Sequence, residues 1–339
     1  METVRAAVVA GPGRIEVRDA PIPDAGGGFR VRVREVGICG TDLKILRGDI
    51  KVAYPRVLGH EMVGEIIDAP AGASFAPGDR VLVDPSVACG LCARCRRDDA
   101  HLCDRGGLMG RDRDGLFAEQ VIVPESQLQR VPENVPWEHG PLLQILGTCV
   151  HGQSLVRADP GQVAVVIGLG VSGLMQVQLL KARGVDVVIG VTRSESKLRL
   201  AADLGADLTA RPDEVAAMVR ELTAGEGADL VVESSGALAG LSQAVELVRP
   251  GGTVLVFGIV SATSGDFPYY QLYLKEISVV NSRAALPRDY AAAIDLVASG
   301  RVDVAPILAQ RSSLEEVEDA MTTFETTPGM LKVTMRVGA

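Results

Sequence analysis

A chain of 339 residues that is 47% apolar and 23% charged is too apolar to be disordered and too long for one core, so two domains are expected. With 34 Lys and Arg against 43 Asp and Glu, a net charge of -9 and no basic run, nucleic acid is excluded as a partner. No apolar run nears the roughly 20 residues needed to cross a bilayer, and METVRAAVVAGPG lacks the charged start and apolar core of a leader, which makes the cytosol the expected location.

From Arg5 to about Pro124 the sequence runs in short β-rich stretches (AAVV, VRVREVG, VGEII, RVLVD, EQVIV) broken by Gly and Pro, the pattern of a barrel-like β domain. Two elements here carry chemistry. GICGTD, Gly37 to Asp42, offers the Cys39 thiolate; GHE, Gly59 to Glu61, offers the His60 imidazole and the Glu61 carboxylate. These are three zinc ligand types, separated by enough chain to converge from different loops. Taken singly they also fit a buried cysteine and a structural histidine.

Cys89, Cys92, Cys95 and Cys103 follow, spaced C-x2-C-x2-C-x7-C in the polar loop ACGLCARCRRDDAHLCD. Short spacings let three thiolates meet one tetrahedral ion while the fourth returns across a small lobe, which predicts a closed structural zinc in a reducing compartment, not a disulfide framework. The intervals fit neither ferredoxin pattern of an iron-sulfur cluster. His101 reads as a loop residue and not a ligand.

From Gly161 strands alternate with helices: VAVVIG, a helix at Gly173 to Arg183, VDVVIGV, a helix around Lys197 to Leu204, DLVVESSG and GGTVLVFG. That alternation means βαβ units around a parallel sheet, an α/β fold. The first turn, GLGVSG, sets Gly168, Gly170, Val171 and Gly173 between an apolar strand and an apolar helix. The first glycine makes a tight turn, the second lets backbone approach a pyrophosphate and the third permits close helix packing, with the helix N-terminus facing the phosphates. An NAD site offers Asp or Glu about 20 residues further on. Here stand Thr192, Arg193 and Ser194, with Asp186 before the strand and Glu195 beyond the turn. A 2′-phosphate would sit against Arg193, beside the two hydroxyls and Lys197, so NADP is favoured over NAD. With Arg193 as a solvated turn residue instead, the site takes both. After Pro287 the helical DYAAAIDLVASG and LEEVEDAMTTFE and the strand-like LKVTMRV return to the first domain. The expected division is 1–149 with a zinc lobe at about 85–110, then 150–285, then 286–339.

In their order, GICGTD, GHE with GDRVLVDP after it, the four-cysteine lobe, GLFAEQVIVP, GLGVSG and RPGGTVLVFG resemble the zinc-containing medium-chain alcohol dehydrogenase family, in its polyol, sugar and threonine dehydrogenase branch, over nearly the whole chain. The resemblance implies a GroES-like β-rich catalytic domain interrupted by a Rossmann domain, and two zinc ions per chain. It implies hydride transfer between a secondary alcohol of polyol, sugar or cyclitol type and the nicotinamide, in either direction. Cys39 and His60 are the implied ligands of the reacting zinc, with Glu61 a ligand or a neighbour that exchanges with water. Thr41 matches the hydroxyl that bonds the substrate oxygen, and Asp42 the carboxylate that orients the histidine; a turn hydroxyl and a helix cap would account for them as well. The family's further ligand falls at Gln144, where polyol dehydrogenases carry Glu and some sugar dehydrogenases Gln. The resting set is thus Cys39 and His60 with either Glu61 or Gln144. Cys149, five residues out of register, fits core packing. Lys44 stands where many relatives carry histidine and would suit an anionic or polyhydroxylated substrate, or simply face solvent.

Only 4% aromatic residues and polar metal ligands suggest a hydroxylated small-molecule substrate. The resemblance also implies a homodimer or homotetramer built by pairing sheets edge to edge. A zinc-free quinone or enoyl reductase of the superfamily would lack both sets of metal residues. A non-catalytic nucleotide-binding zinc protein would have no use for Cys39, Thr41, Asp42 and His60.

Overall fold

In FRVRVREVG, Phe29–Gly37, every second side chain from Phe29 to Val33 is apolar and buried while the arginines between them reach outward, so the segment can only be a strand with one face on a core. In the computed structural model, which describes residues 2–338, it is the centre of a seven-stranded sheet. The path through that sheet is Leu128–Arg130, Arg80–Val83, Met62–Asp68, Phe29–Gly37, Lys332–Arg336 and Leu308–Ser313, with Gln120–Val123 also pairing with Phe29–Gly37. A three-stranded sheet, Arg14–Pro21, Thr3–Gly11 and Arg56–Val57, shares one apolar core with it, in which Val4, Val8, Val31, Val33, Val333 and Met335 are buried. The barrel-like β domain expected of this half is thus two sheets around one interior.

A six-stranded sheet is parallel throughout, in the order Leu208–Ala210, Val187–Val191, Val163–Ile167, Ala228–Glu233, Val248–Val256, Ser278–Asn281. Numbered along the chain this is 3-2-1-4-5-6, the doubly wound dinucleotide-binding order, whose switch point falls between Val163–Ile167 and Ala228–Glu233. Its central strands are continuous apolar runs because helices cover both faces.

The chain forms two units. One comprises the residues up to Gly147, Ala284–Ala298 and Ile307 onward; the other comprises Thr148–Arg283 and Ser299–Pro306. Residues 299–306, inside the tail that the sequence assigns to the first domain, group with the second unit. Gln178 explains it: its side chain accepts the Asp303 N–H at 2.7 Å and donates to the Asp303 carbonyl at 2.9 Å. Among the described residues no helix is long and apolar enough to cross a membrane.

Candidate metal centres and nucleotide site

Strand Phe29–Gly37 ends where the Ile38 N–H bonds the Val333 carbonyl at 3.0 Å, and Cys39 then caps helix Gly40–Arg47. Asp42, the third residue of that helix, completes the cap: its Oδ2 accepts the Cys39 N–H at 2.9 Å. Its Oδ1 accepts the Gly59 N–H at 3.2 Å and lies 3.6 Å from His60 Nδ1. One fully buried carboxylate therefore closes the helix and stands beside the imidazole. Thr41 is half-buried in the first turn of the helix, and Lys44 is exposed.

Donor atoms of Cys39, His60 and Glu61 all lie within 4.8 Å of one another. Burial works against an imidazolium, but the Asp42 carboxylate and Cys39 outweigh it and hold the His60 pKa well above its ordinary value. The site attracts positive charge, and a thiolate, an imidazole and a carboxylate at this spacing fit a zinc ion. Glu61 has a partner that sequence reasoning missed. Lys332, buried on strand Lys332–Arg336, pairs with it and donates to the Ile38 carbonyl at 2.7 Å. The available signal was a lysine set between the apolar Leu331 and Val333 in LKVTM. Gly37 must be glycine, since a Cβ there would overlap Glu61 Oε2, Lys332 Cε and Pro141 Cβ.

Pro141 belongs to helix Gly140–Ser154, and Gln144 lies three residues further along the same face. Gln144 is buried, with its Nε2 3.5 Å from the Tyr290 hydroxyl. Cys149 is buried too; its thiol points at the Ser172 carbonyl at 3.8 Å, and burial pushes its pKa up.

The other cysteines make a second cluster. Sγ separations are 3.5 Å for Cys92–Cys95, 3.8 Å for Cys92–Cys103 and 4.0 Å for Cys89–Cys95. Four thiolates at about 2.3 Å from a zinc ion define a tetrahedron with edges of about 3.8 Å, so the donor set fits. N–H groups of Leu91 and Cys92 bring the Cys89 thiol down to about 6, and the Arg105 guanidinium donates to its sulfur at 3.6 Å. Desolvation and the neighbouring thiols push Cys95 up to about 12, the mutual repulsion that a divalent cation relieves. Cys103→Ser is expected to release one zinc per chain and make the segment from Cys89 to Gly106 sensitive to limited proteolysis; an unchanged zinc content would refute the assignment.

In the second unit the turn after Val163–Ile167 carries the glycines. Gly168 has φ +91°, which an L side chain resists, and a Cβ at Gly173 would overlap the Gly168 carbonyl, whereas a Cβ at Gly170 would meet open space. Helix Val171–Ala182 starts there, with the N–H groups of its first turn free of helical partners. Sequence reasoning missed Glu233, the buried carboxylate at the end of Ala228–Glu233. It accepts the Ser235 N–H at 2.7 Å and the Gly236 N–H at 3.1 Å, fixing the loop whose Ser234 hydroxyl lies 3.0 Å from that of Ser172. The acidic residue closing DLVVE was the signal. At the end of Val187–Val191, Thr192 and Ser194 are half-buried and Arg193 is exposed; burial lowers the Lys197 pKa. Glu195 is bracketed by Arg199 at 3.4 Å and by Arg211, also missed, at 3.7 Å.

Residues 26–133 match the alcohol dehydrogenase GroES-like domain and residues 171–299 the zinc-binding dehydrogenase domain. The chain is 32% identical to the sorbitol dehydrogenase of Halalkalibacterium halodurans over 316 residues, covering 91% of this chain and 92% of that one. Among solved structures it is similar to alcohol dehydrogenase TADH from Thermus sp. ATN1, with a TM-score of 0.91 and 33% identity over 98% of this chain and 100% of that one. A Sinorhizobium meliloti 1021 protein of the zinc-binding dehydrogenase class, solved with NADP bound, gives a TM-score of 0.90 and 32% identity over 99% of this chain and 100% of that one.

Proposed function

The chain belongs to the zinc-containing medium-chain alcohol dehydrogenase family, and from that premise we propose that it interconverts a secondary alcohol of a polyol, sugar or cyclitol and its ketone, with two zinc ions per chain and NADP preferred to NAD. The observation that carries this is the convergence of Cys39, His60 and Glu61 beside Asp42. When bound, zinc supplies a Lewis acid that polarises the substrate oxygen, and the nicotinamide exchanges the hydride.

Cys39 and His60 would hold the reacting metal, with Gln144 or Glu61 as the third protein ligand, and Cys89, Cys92, Cys95 and Cys103 the structural one. Asp42 orients the imidazole through Nδ1. Thr41 Oγ1 accepts the substrate hydroxyl proton and hands it outward. Pairing with Lys332 draws charge from Glu61, which weakens it as a donor and favours neutral Gln144. A thiolate, an imidazole and an amide leave the site net positive, which stabilises negative charge developing at the substrate oxygen. A hydroxylated substrate is supported by the relatives, a sorbitol dehydrogenase among them.

NADP preference rests on Arg193 and on the lack of a carboxylate from Thr192 to Ser194. Losing a charge-assisted hydrogen bond of about 1.5–3 kcal/mol, Arg193→Ala should raise KM for NADP about 10- to 100-fold and leave KM for NAD nearly unchanged. Equal effects on both cofactors would refute a role at the 2′-phosphate. Assembly as a homodimer, or a tetramer of two such pairs, is supported by the outermost strand of the parallel sheet, Ser278–Asn281, whose Val279 is exposed. Close to it in sequence, helix Tyr269–Leu274 exposes Tyr269, Tyr270 and Tyr273 by 68–77%. A cytosolic location suits six unpaired cysteines.

The deciding experiment measures metal content beside absorbance of the reduced nicotinamide, with polyols, sugars and aminocyclitols offered in turn. Two zinc ions per chain and turnover abolished by chelation are expected. One zinc and no turnover would overturn this function in favour of a non-catalytic nucleotide-binding zinc protein.

A further inference from the structure

Resting on Gln144 as a ligand of the reacting zinc, we propose that Tyr290 is a positioning residue that fixes the Gln144 amide with its oxygen, and not its nitrogen, free for the metal. A glutamate needs no such device, because either end of a carboxylate is an oxygen. An amide has one end that binds a cation and one that cannot, and a half-turn about its last bond exchanges them.

The hydrogen bonds decide which end is which. Asp84 is buried beside the Tyr290 hydroxyl, and its Oδ1 accepts the Ser86 N–H at 2.8 Å. The Ser86 N–H on Oδ1 favours the carboxylate form of Asp84, against burial, which pushes its pKa up to about 6. An ionised carboxylate can only accept, so the Tyr290 hydroxyl donates its one proton to Asp84. Its oxygen is then left able only to accept. The Gln144 group 3.5 Å away must therefore be the NH2 end, and the chain runs one way, from Gln144 Nε2 to Tyr290 Oη to Asp84. This polarity turns the amide oxygen away from Tyr290.

The packing is built for it. The Tyr290 ring is fully buried among Val63, Leu82, Leu143 and Ile294, where phenylalanine would fill the same space without a hydroxyl to satisfy. Gly147, three residues past Gln144 on the same helix, makes room for it, since a Cβ there would overlap the ring. Pro141, three residues before, abuts the position of Gly37 beside Glu61. The ligand helix is seated on both sides of Gln144.

The test compares metal affinity, by chelator competition, and the visible spectrum after exchange of the reacting zinc for cobalt(II). Tyr290→Phe should keep the fold by thermal unfolding, weaken metal binding at this site about 10- to 100-fold and shift the cobalt bands. Asp84→Asn, which lets the chain run in either direction, should act in the same sense and serves if the first variant does not fold. In a Gln144→Glu background, where the ligand has no wrong end, Tyr290→Phe should have no further effect. An equal loss in that background would make Tyr290 merely structural and overturn the proposal. So would unchanged cobalt bands in Tyr290→Phe when Gln144→Ala shifts them. If Gln144→Ala itself changes neither affinity nor spectrum, the fault lies with the ligand assignment beneath.

Discussion

His60→Ala should lower kcat/KM by about 1000-fold or more while nucleotide binding stays intact. Lewis-acid polarisation is worth several kcal/mol, and each 1.36 kcal/mol is tenfold in rate, so losing about 4 kcal/mol gives that factor. The fold should survive, because Asp42 keeps two of its partners, the Cys39 and Gly59 N–H groups, when the imidazole is gone. The glycine turn at Gly168 lies in the other unit and should hold the nicotinamide cofactor as before. Zinc content should fall by one per chain. A variant that loses that zinc and still turns over would show that the metal takes no part in the reaction.

Lys332→Met should cost about 3–5 kcal/mol of stability in urea unfolding of the metal-stripped protein. Lys332 and Glu61 are both almost fully buried, so deleting the cation leaves a carboxylate with no counter-charge, and the Ile38 carbonyl loses its donor. Adding Glu61→Gln should restore much of the loss, because a neutral pair carries no uncompensated charge. Zinc beside Glu61 would replace part of the missing cation, so the penalty should shrink in the loaded protein. A cost below about 1 kcal/mol without metal would mean that the pair does not carry its charge buried.

What the sequence made legible is what lies close together along it. The four cysteines, the glycine turn and GICGTD each put their chemistry within a few residues, and local spacing suffices to read them. The alternating and continuous apolar runs gave the β-rich and the parallel-sheet halves for the same reason. Partners supplied from far along the chain left no such trace. Lys332 reaches a carbonyl 294 residues away and Tyr290 an amide 146 residues away, and each reads as an ordinary member of its strand or helix. Arg211 was hidden because only the three-dimensional order of the strands brings the end of Leu208–Ala210 beside that of Val187–Val191. Asp42 had two uses open in the sequence; in the fold its Oδ2 accepts the Cys39 N–H, while its Oδ1 accepts the Gly59 N–H and lies 3.6 Å from His60 Nδ1.

Strand Lys332–Arg336 lies between Phe29–Gly37 and Leu308–Ser313, so the first unit takes a central strand from the far end of the chain. On the ribosome this sets an order of events. The six parallel strands are all made by Asn281, and that sheet can close while synthesis continues. His60 and Glu61 emerge early but wait for Lys332, about 270 residues later, which at about 5–20 residues per second is roughly 15 to 55 seconds. Through that interval the carboxylate lacks its buried counter-charge and the nascent first sheet has an open slot. A stop codon a few residues before Lys332 would leave the nucleotide half able to fold and the metal half without the strand that closes it.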